Sequence, residues 1–223
     1  MLTLRGIIVC FFAAASLTGC SDSSSTQQPA SSVSVQELFP LSAGSEWCYD
    51  HTTFNADWSI KTHDTIVFSI IDSLVIYNQT YFQVAYNNTP VSYYYYNGKS
   101  DLFSVPVPGD YTPFRFFHVP IDAGKELTLY DSMFFDGTDT INSLNVLNHE
   151  FSNLPTQVPA GTFPCEKFEL SETYGPKGKT NEATEVDYWY SKGVGWVKRE
   201  TYGSNHGVKS PIVFLNLIEY HIK

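Results

Sequence analysis

Positively charged residues are scarce in this chain of 223 residues. Lys and Arg number 13 against 23 Asp and Glu, which gives a formal net charge of -10. Binding to a phosphate backbone requires clustered Lys and Arg, and so does binding to anionic lipid through basic patches. The composition therefore predicts that nucleic acid is not a partner.

The chain also lacks the motifs of common catalytic and cofactor sites. It contains no Gly-x-Ser-x-Gly elbow, no Ser-x-x-Lys and no Gly-rich dinucleotide turn. Cys48 and His51, with His63 or Cys165, are the residues that come nearest to a metal site, but their spacing fits no structural zinc pattern. We therefore predict no catalytic residue, no cofactor and no metal.

Helical periodicity is the third absence, because no window of a dozen residues has convincing helical spacing. Aromatic residues make up 16% of the chain, including 15 Tyr and 16 Phe, and these residues suit pleated, half-buried surfaces. Alternation predicts strands over 45–54, 64–73, 81–86, 91–96, 101–105, 114–119, 126–130, 140–151, 165–173, 184–190, 195–202 and 212–222.

Turn residues separate these strands, and Asn97-Gly98 is the strongest hairpin signal. One short helical turn is expected at 33–38, capped by Ser34. The pattern predicts an all-β fold with a single antiparallel, strongly curved sheet and little helix. The sheet could be a half-barrel or a barrel, with a sandwich as the alternative.

The N-terminus carries a short apolar stretch that ends in Leu17-Thr18-Gly19-Cys20. Arg5 provides the positive end, and the apolar part is shorter than the roughly 20 residues that span a bilayer. The run resembles the lipobox of bacterial lipoproteins, in which the cysteine is acylated after signal cleavage. An ordinary secretory peptide that ends in Gly-Cys is the alternative.

The lipobox resemblance divides the chain into three parts. Residues 1–19 are the expected signal peptide, 20–35 the lipidated Cys20 with a flexible tether, and 36–223 a single β-rich domain. Two or three acyl chains on Cys20 imply the lipid bilayer as a partner, since each buried methylene contributes about 0.8 kcal/mol. Ser21 follows the cysteine, which resembles lipoproteins of the outer membrane of the bacterial cell envelope.

Two further segments carry a resemblance. The first is Phe39-Pro40-Leu41 with Gly44, Trp47 and Tyr49, and the second is 159–167 followed by 188–198. They resemble a loose group of uncharacterised bacterial envelope lipoproteins. No activity is associated with this group, so the resemblance implies a class of protein and no chemistry.

Cys48 and Cys165 are the cysteines left once Cys10 is cleaved off and Cys20 is acylated. An even pair in an oxidising compartment suggests a disulfide. Such a bridge would close a loop of more than about 100 residues, worth roughly 5 kcal/mol in the chain-entropy model. Two separate buried thiols are the alternative.

The run of four tyrosines at 93–96 places aromatic rings on both faces of one strand. If Tyr94 and Tyr96 are exposed, they offer an aromatic surface for a glycan or a protein partner. The alternative is a central strand that is packed on both faces.

Two functions remain open from the sequence. The first is a non-catalytic binding or structural module that takes an envelope protein, a glycan or an apolar ligand. The second is an envelope polysaccharide hydrolase that uses a carboxylate pair. Candidates for such a pair are Glu166, Glu169, Glu172, Glu182, Glu185 and Asp187.

Overall fold

The computed structural model describes residues 33–109, 113–119, 121–122, 124–135, 140–176, 182–205 and 208–223. The expected signal peptide, Cys20 and most of the expected tether lie outside these residues. Within them, no helix has the length and apolar character needed to cross a bilayer.

One short helix and twelve strands make up the described structure. They are α1 (Val35–Leu38), β1 (Glu46–Phe54), β2 (Ile60–Ile76), β3 (Gln79–Tyr86), β4 (Thr89–Asn97), β5 (Asp101–Val105), β6 (Phe114–His118), β7 (Glu126–Phe135), β8 (Thr140–Val158), β9 (Gly161–Pro176), β10 (Glu182–Ser191), β11 (Gly195–Asn205) and β12 (Val208–His221).

The strands form one antiparallel sheet in the order β6-β5-β4-β3-β2-β1-β12-β11-β10-β9-β8-β7. The sheet curves until its edge strands β6 and β7 approach one another, so it is nearly closed into a barrel. Arg115 Nη2 donates to the carbonyl oxygen of Thr128 across this seam at 2.8 Å, and the rings of Phe114 and Tyr130 lie 5.7 Å apart. The predicted all-β fold with one curved antiparallel sheet is confirmed, and it is not a sandwich.

The hairpins follow from local backbone conformations. Tyr77-Asn78 and Asn87-Asn88 all adopt positive φ, as the two-residue turns between twisted antiparallel strands require. The predicted hairpin at Asn97-Gly98 is confirmed, but residues 98–100 link the strands, and Gly98 has a positive φ of 67°. The turn is therefore longer than the two-residue type that the sequence predicts.

The hairpin of β8 and β9 is longer than the sequence predicts. Its strands extend well past 151 and begin before 165, and only Pro159 and Ala160 lie between them. Gly161 turns the chain with a φ of 137°. The tip reaches β12, where the amide of Ala160 donates to the carbonyl of Leu217 at 2.9 Å. Irregular pairing of β8 between His149 and Leu154 accompanies this extension.

One end of the interior is filled by residues 35–41, which we call the N-terminal plug. The predicted cap is present, since Glu37 Oε2 accepts a hydrogen bond from the Ser34 amide at 2.8 Å. Val35 and Leu38 have no exposed surface. The amide of Val35 donates to Lys99, and the carbonyl of Glu37 accepts from Gly193. The plug therefore joins two hairpin turns on opposite parts of the sheet.

Candidate functional site in the sheet interior

The interior next to the plug is packed with aromatic rings. Trp47 Nε1 donates to the carbonyl of Val194, and the Tyr49 hydroxyl donates to the carbonyl of Trp196 at 3.1 Å. A Cβ on Gly195, where φ is 96°, would lie 3.1 Å from Trp47 Nε1. The early segment and the 188–198 segment that carry the resemblance thus pack against each other, and their roles here are structural.

Little space remains in this packed half. A cavity of about 20 Å³ is lined by apolar residues from the plug and four strands: Phe39, Pro40, Leu41, Trp47, Tyr49, Phe68, Tyr94, Gly195 and Trp196. This volume holds roughly one water molecule. The cavity is too small for a larger ligand.

Tyr94 and Tyr96 both face the interior rather than solvent. Tyr94 is only 7% exposed and stacks on Phe116 with ring centres 5.5 Å apart. The Tyr96 hydroxyl donates to the carbonyl of Phe39 and accepts from the amide of Leu41 at 2.9 Å. Tyr94 and Tyr96 therefore lie on a packed strand face, the alternative that the sequence left open, because the curvature of the sheet turns this face of β4 inward.

Beyond the aromatic half, one row of interior side chains contains charge. Cross-strand pairing places Tyr188, Arg199, Leu215 and His51 side by side on neighbouring strands. His51 Nδ1 pairs with Asp64 Oδ1 at 2.5 Å, and 60% of the Asp64 side chain is exposed. The interior therefore reaches solvent along this row.

Arg199 is the central residue of this row. Its guanidinium carbon lies 5.6 Å from the centre of the Tyr188 ring, in the range of a cation–π contact. Thr201 follows on the same face, opposite Val213 and Val186. The interior polar side chains of this region are called the polar interior layer here, and they are Tyr86, Glu172, Tyr188, Arg199 and Thr201.

Burial shifts the titration of this layer. It raises the pKa of Tyr86 to about 12, with the charge of Arg199 acting in the opposite direction. Burial likewise raises the pKa of the Glu172 carboxyl, again opposed by Arg199. The tyrosine hydroxyls therefore stay protonated at neutral pH and can donate hydrogen bonds.

A buried histidine forms a second polar cluster. Both ring nitrogens of His149 are engaged, with Nδ1 2.9 Å from the carbonyl of Ile121 and Nε2 2.9 Å from Glu166 Oε2. Ser152 Oγ lies 3.3 Å from the same Nε2. In a Ser–His–acid triad, serine and acid contact different ring nitrogens. In this cluster, Glu166 and Ser152 both contact Nε2 of His149. The cluster is therefore an ion pair and not a nucleophilic triad.

The predicted carboxylates lie on different faces of the sheet. Glu166 is engaged by His149, and Glu172 belongs to the polar interior layer. Asp187 and Glu169 are direct cross-strand partners on the outer face, and Lys167 Nζ lies 3.3 Å from Asp187 Oδ2. Burial raises the pKa of both Glu169 and Asp187.

Cys48 and Cys165 are both free thiols in this structure. Cys48 lies on β1 and Cys165 on β9, with β12, β11 and β10 between them in the sheet. Burial raises the pKa of Cys165 to about 11, so its thiol stays protonated. Among the described residues, no group of three or more His, Cys, Asp or Glu is placed to hold a metal ion.

Sequence reasoning missed Arg199 and Thr201. A signal was available, because the chain has only three arginines and Arg199 alternates in step with Thr201 along its strand. Its meaning depends on which face of β11 is inside, and that was not readable from the strand alone.

Comparison with known proteins gives a fold. Residues 124–213, less than half of the chain, match a family described as DUF3108-like. No curated protein matches the chain. A solved structure named a "putative exported protein with YmcC-like fold", from Bacteroides fragilis NCTC 9343, is 13% identical with a TM-score of 0.51, and the match covers 82% of this chain and 98% of that one.

A second solved structure, named a "putative lipoprotein" from Parabacteroides distasonis ATCC 8503, is 15% identical with a TM-score of 0.49, and the match covers 85% of this chain and 99% of that one. At these levels of identity, the likeness to the Bacteroides fragilis structure extends to the fold alone.

Proposed function

We propose that this protein is a bacterial envelope lipoprotein, anchored in the outer membrane through acylated Cys20. Its sheet serves as a non-catalytic binding module that takes a small ligand into the polar interior layer. The anchor and the ligand are separate parts of the proposal, and each has its own support.

The anchor is supported by the N-terminal sequence. Leu17-Thr18-Gly19-Cys20 closes a charged and then apolar segment, as in signal peptides that end in a lipobox. Ser21 rather than Asp follows the cysteine, which favours the outer membrane. The tether within residues 20–35 would then hold the plug and the sheet beside the bilayer.

The binding role is supported by one observation above all, the charged row in the sheet interior. A closed β structure whose interior only stabilises the fold is filled by apolar side chains. Here the half beside the plug is filled in that way, whereas the next row carries Arg199 and the His51–Asp64 pair. Polar groups placed among apolar walls are typical of small-molecule sites.

A polysaccharide hydrolase is the alternative, and the geometry favours it less. A glycosidase carboxylate pair faces a bound sugar from two sides. Glu169 and Asp187 instead stand side by side on the outer face of the sheet, and Lys167 neutralises Asp187.

The proposal is tested on full-length protein extracted from native bacterial envelopes. Intact-mass analysis of its N-terminal peptide is expected to show diacylglycerol, and a further acyl chain, on Cys20. Denaturation of the folded protein is expected to release a small molecule in stoichiometric amount, identified by mass spectrometry.

A Cys20→Ser variant is the matched control, and it should leave the membrane fraction while the sheet stays folded. An unmodified Cys20 thiol in the mature wild-type protein would contradict the anchor. An empty interior together with release of sugars from envelope polysaccharide would favour the hydrolase instead.

A further inference from the structure

Arg199 occupies an unusual position for an arginine. It stands between Tyr188 and Leu215 in the sheet, and both of these neighbours are almost completely buried. Its Nε is shielded from solvent. The residue as a whole is partly buried, and an arginine that loses contact with water usually pairs with an anion.

No such anion is supplied by the part of the chain that the structure describes. There, Arg199 has no ion pair within 4.0 Å, and its Nε has no hydrogen-bond partner. Glu172 is close enough for the two charges to interact, but it does not contact the guanidinium. Partial burial of a charge without a partner is unfavourable, so this position is expected to be retained for a ligand.

A second unpartnered group lies beside it. The hydroxyl of Thr201 is buried without a hydrogen bond, two residues further along the same face of β11. A guanidinium fork binds carboxylate or phosphate through two parallel hydrogen bonds. A neighbouring hydroxyl can donate a third hydrogen bond to the same anion.

We infer that Arg199 and Thr201 bind the carboxylate or phosphate group of a small amphipathic molecule, whose apolar part lies against the interior tyrosines. The inference rests on the proposed function, because it names the ligand class of the same interior. The chain carries a formal net charge of -10, so non-specific attraction of anions is not expected. Anion binding will therefore report on the interior.

Isothermal titration with octanoate, octyl phosphate and octanol tests this inference on the full chain. At least one of the two anions is expected to bind at least tenfold more tightly than octanol, and the tighter one identifies the group that is bound. Arg199→Lys keeps the charge but loses the fork, and should weaken anion binding at least tenfold. Thr201→Val should weaken it about threefold.

Arg115→Lys, at the seam, is the matched control and should bind both anions within twofold of wild type. Circular dichroism establishes that each variant is folded, and Thr201→Val provides a second test should Arg199→Lys fail to fold. The inference is wrong if neither anion binds the wild-type protein at millimolar concentration, or if Arg199→Lys binds them unchanged.

These outcomes remain distinct from failure of the proposed function. A neutral molecule released from the native protein would overturn the anion site and leave a binding module in place. An empty native protein that also binds none of the three probes would overturn both.

Discussion

At the scale of the residue, the His149–Glu166 pair is the polar contact that is best enclosed. The side chains are 1% and 10% exposed, and the imidazole stacks on Phe168 with ring centres 4.6 Å apart. Burial opposes charge on both groups. Hydrogen bonds to Glu166 and Ile121 nonetheless raise the pKa of His149, and those from His149 and Ser152 lower the pKa of Glu166.

The pH dependence of stability follows from these two directions. The Glu166 carboxylate stabilises the fold above its ordinary pKa of 4.5, and this is lost as pH falls through the lower folded-state value. The His149 imidazolium stabilises it below 6.5, and this is lost as pH rises through the higher folded-state value. The pair is therefore most stabilising between about pH 4.5 and 6.5.

Glu166→Gln is expected to lower the free energy of unfolding by about 3 kcal/mol at pH 5.5, because it leaves a buried charge unpaired. The loss should be smaller at pH 9, because the His149 imidazolium deprotonates as pH rises through its raised pKa. Urea unfolding at the two pH values measures it. Asp50→Asn, which breaks the more exposed pair with His63, is the control and should change stability by less than about 0.5 kcal/mol. An equal loss at both pH values would contradict the charged pair.

At the scale of the element, the short N-terminal plug contributes to the stability of the whole sheet. A helix of four residues is far too short to be stable alone. Its conformation is maintained by the sheet through Val35–Lys99, Glu37–Gly193 and Tyr96. In turn, it covers the aromatic rings at one end of the interior. The ring centres of Phe39 and Tyr190 lie 4.5 Å apart there.

Leu38→Ala is expected to cost about 3 kcal/mol of unfolding free energy, because it leaves a cavity at a fully buried site. The midpoint of urea unfolding measures this cost. Val75→Ala removes a largely exposed side chain of β2 and should change stability by less than about 0.5 kcal/mol. If both variants unfold at the wild-type midpoint, the plug does not belong to the cooperative core.

At the scale of the whole molecule, the sheet pairs strands that are neighbours along the chain, apart from β1 with β12. That pairing joins the two ends of the described chain. The seam between β6 and β7 is crossed by the Arg115–Thr128 hydrogen bond and a ring contact. Edge strands leave backbone amides without ladder partners, so the seam is expected to be the least protected part of the sheet.

Amides of β6 and β7 should therefore exchange with solvent faster than those of β8 and β9, as measured by hydrogen-exchange mass spectrometry. Arg115→Met should increase exchange in the two seam strands by severalfold, because it removes the guanidinium that joins them. Lys61→Met, at an exposed site on β2, is the control. Uniform protection across all twelve strands would indicate a fully closed sheet.

The sequence by itself determined the strands and most of the turns. Alternation along 46–54 and the turn residues Asn97-Gly98 act over a few residues, so they are readable without the fold. It also predicted the helical turn capped by Ser34. Lipid at Cys20 stays a prediction. The disulfide of Cys48 with Cys165 is not formed in the structure, where both are free thiols.

Only the tertiary structure decided which face of each strand is inside. The two faces of an alternating strand are equivalent until curvature encloses one of them, and that curvature depends on pairings such as Trp47 with Val194, far apart in the chain. It turned Tyr94 and Tyr96 inward, brought His149 to Glu166, and left Arg199 partly buried without an acidic partner in contact. Burial and charge pairing are long-range properties, and that is why the candidate site appeared only with the fold.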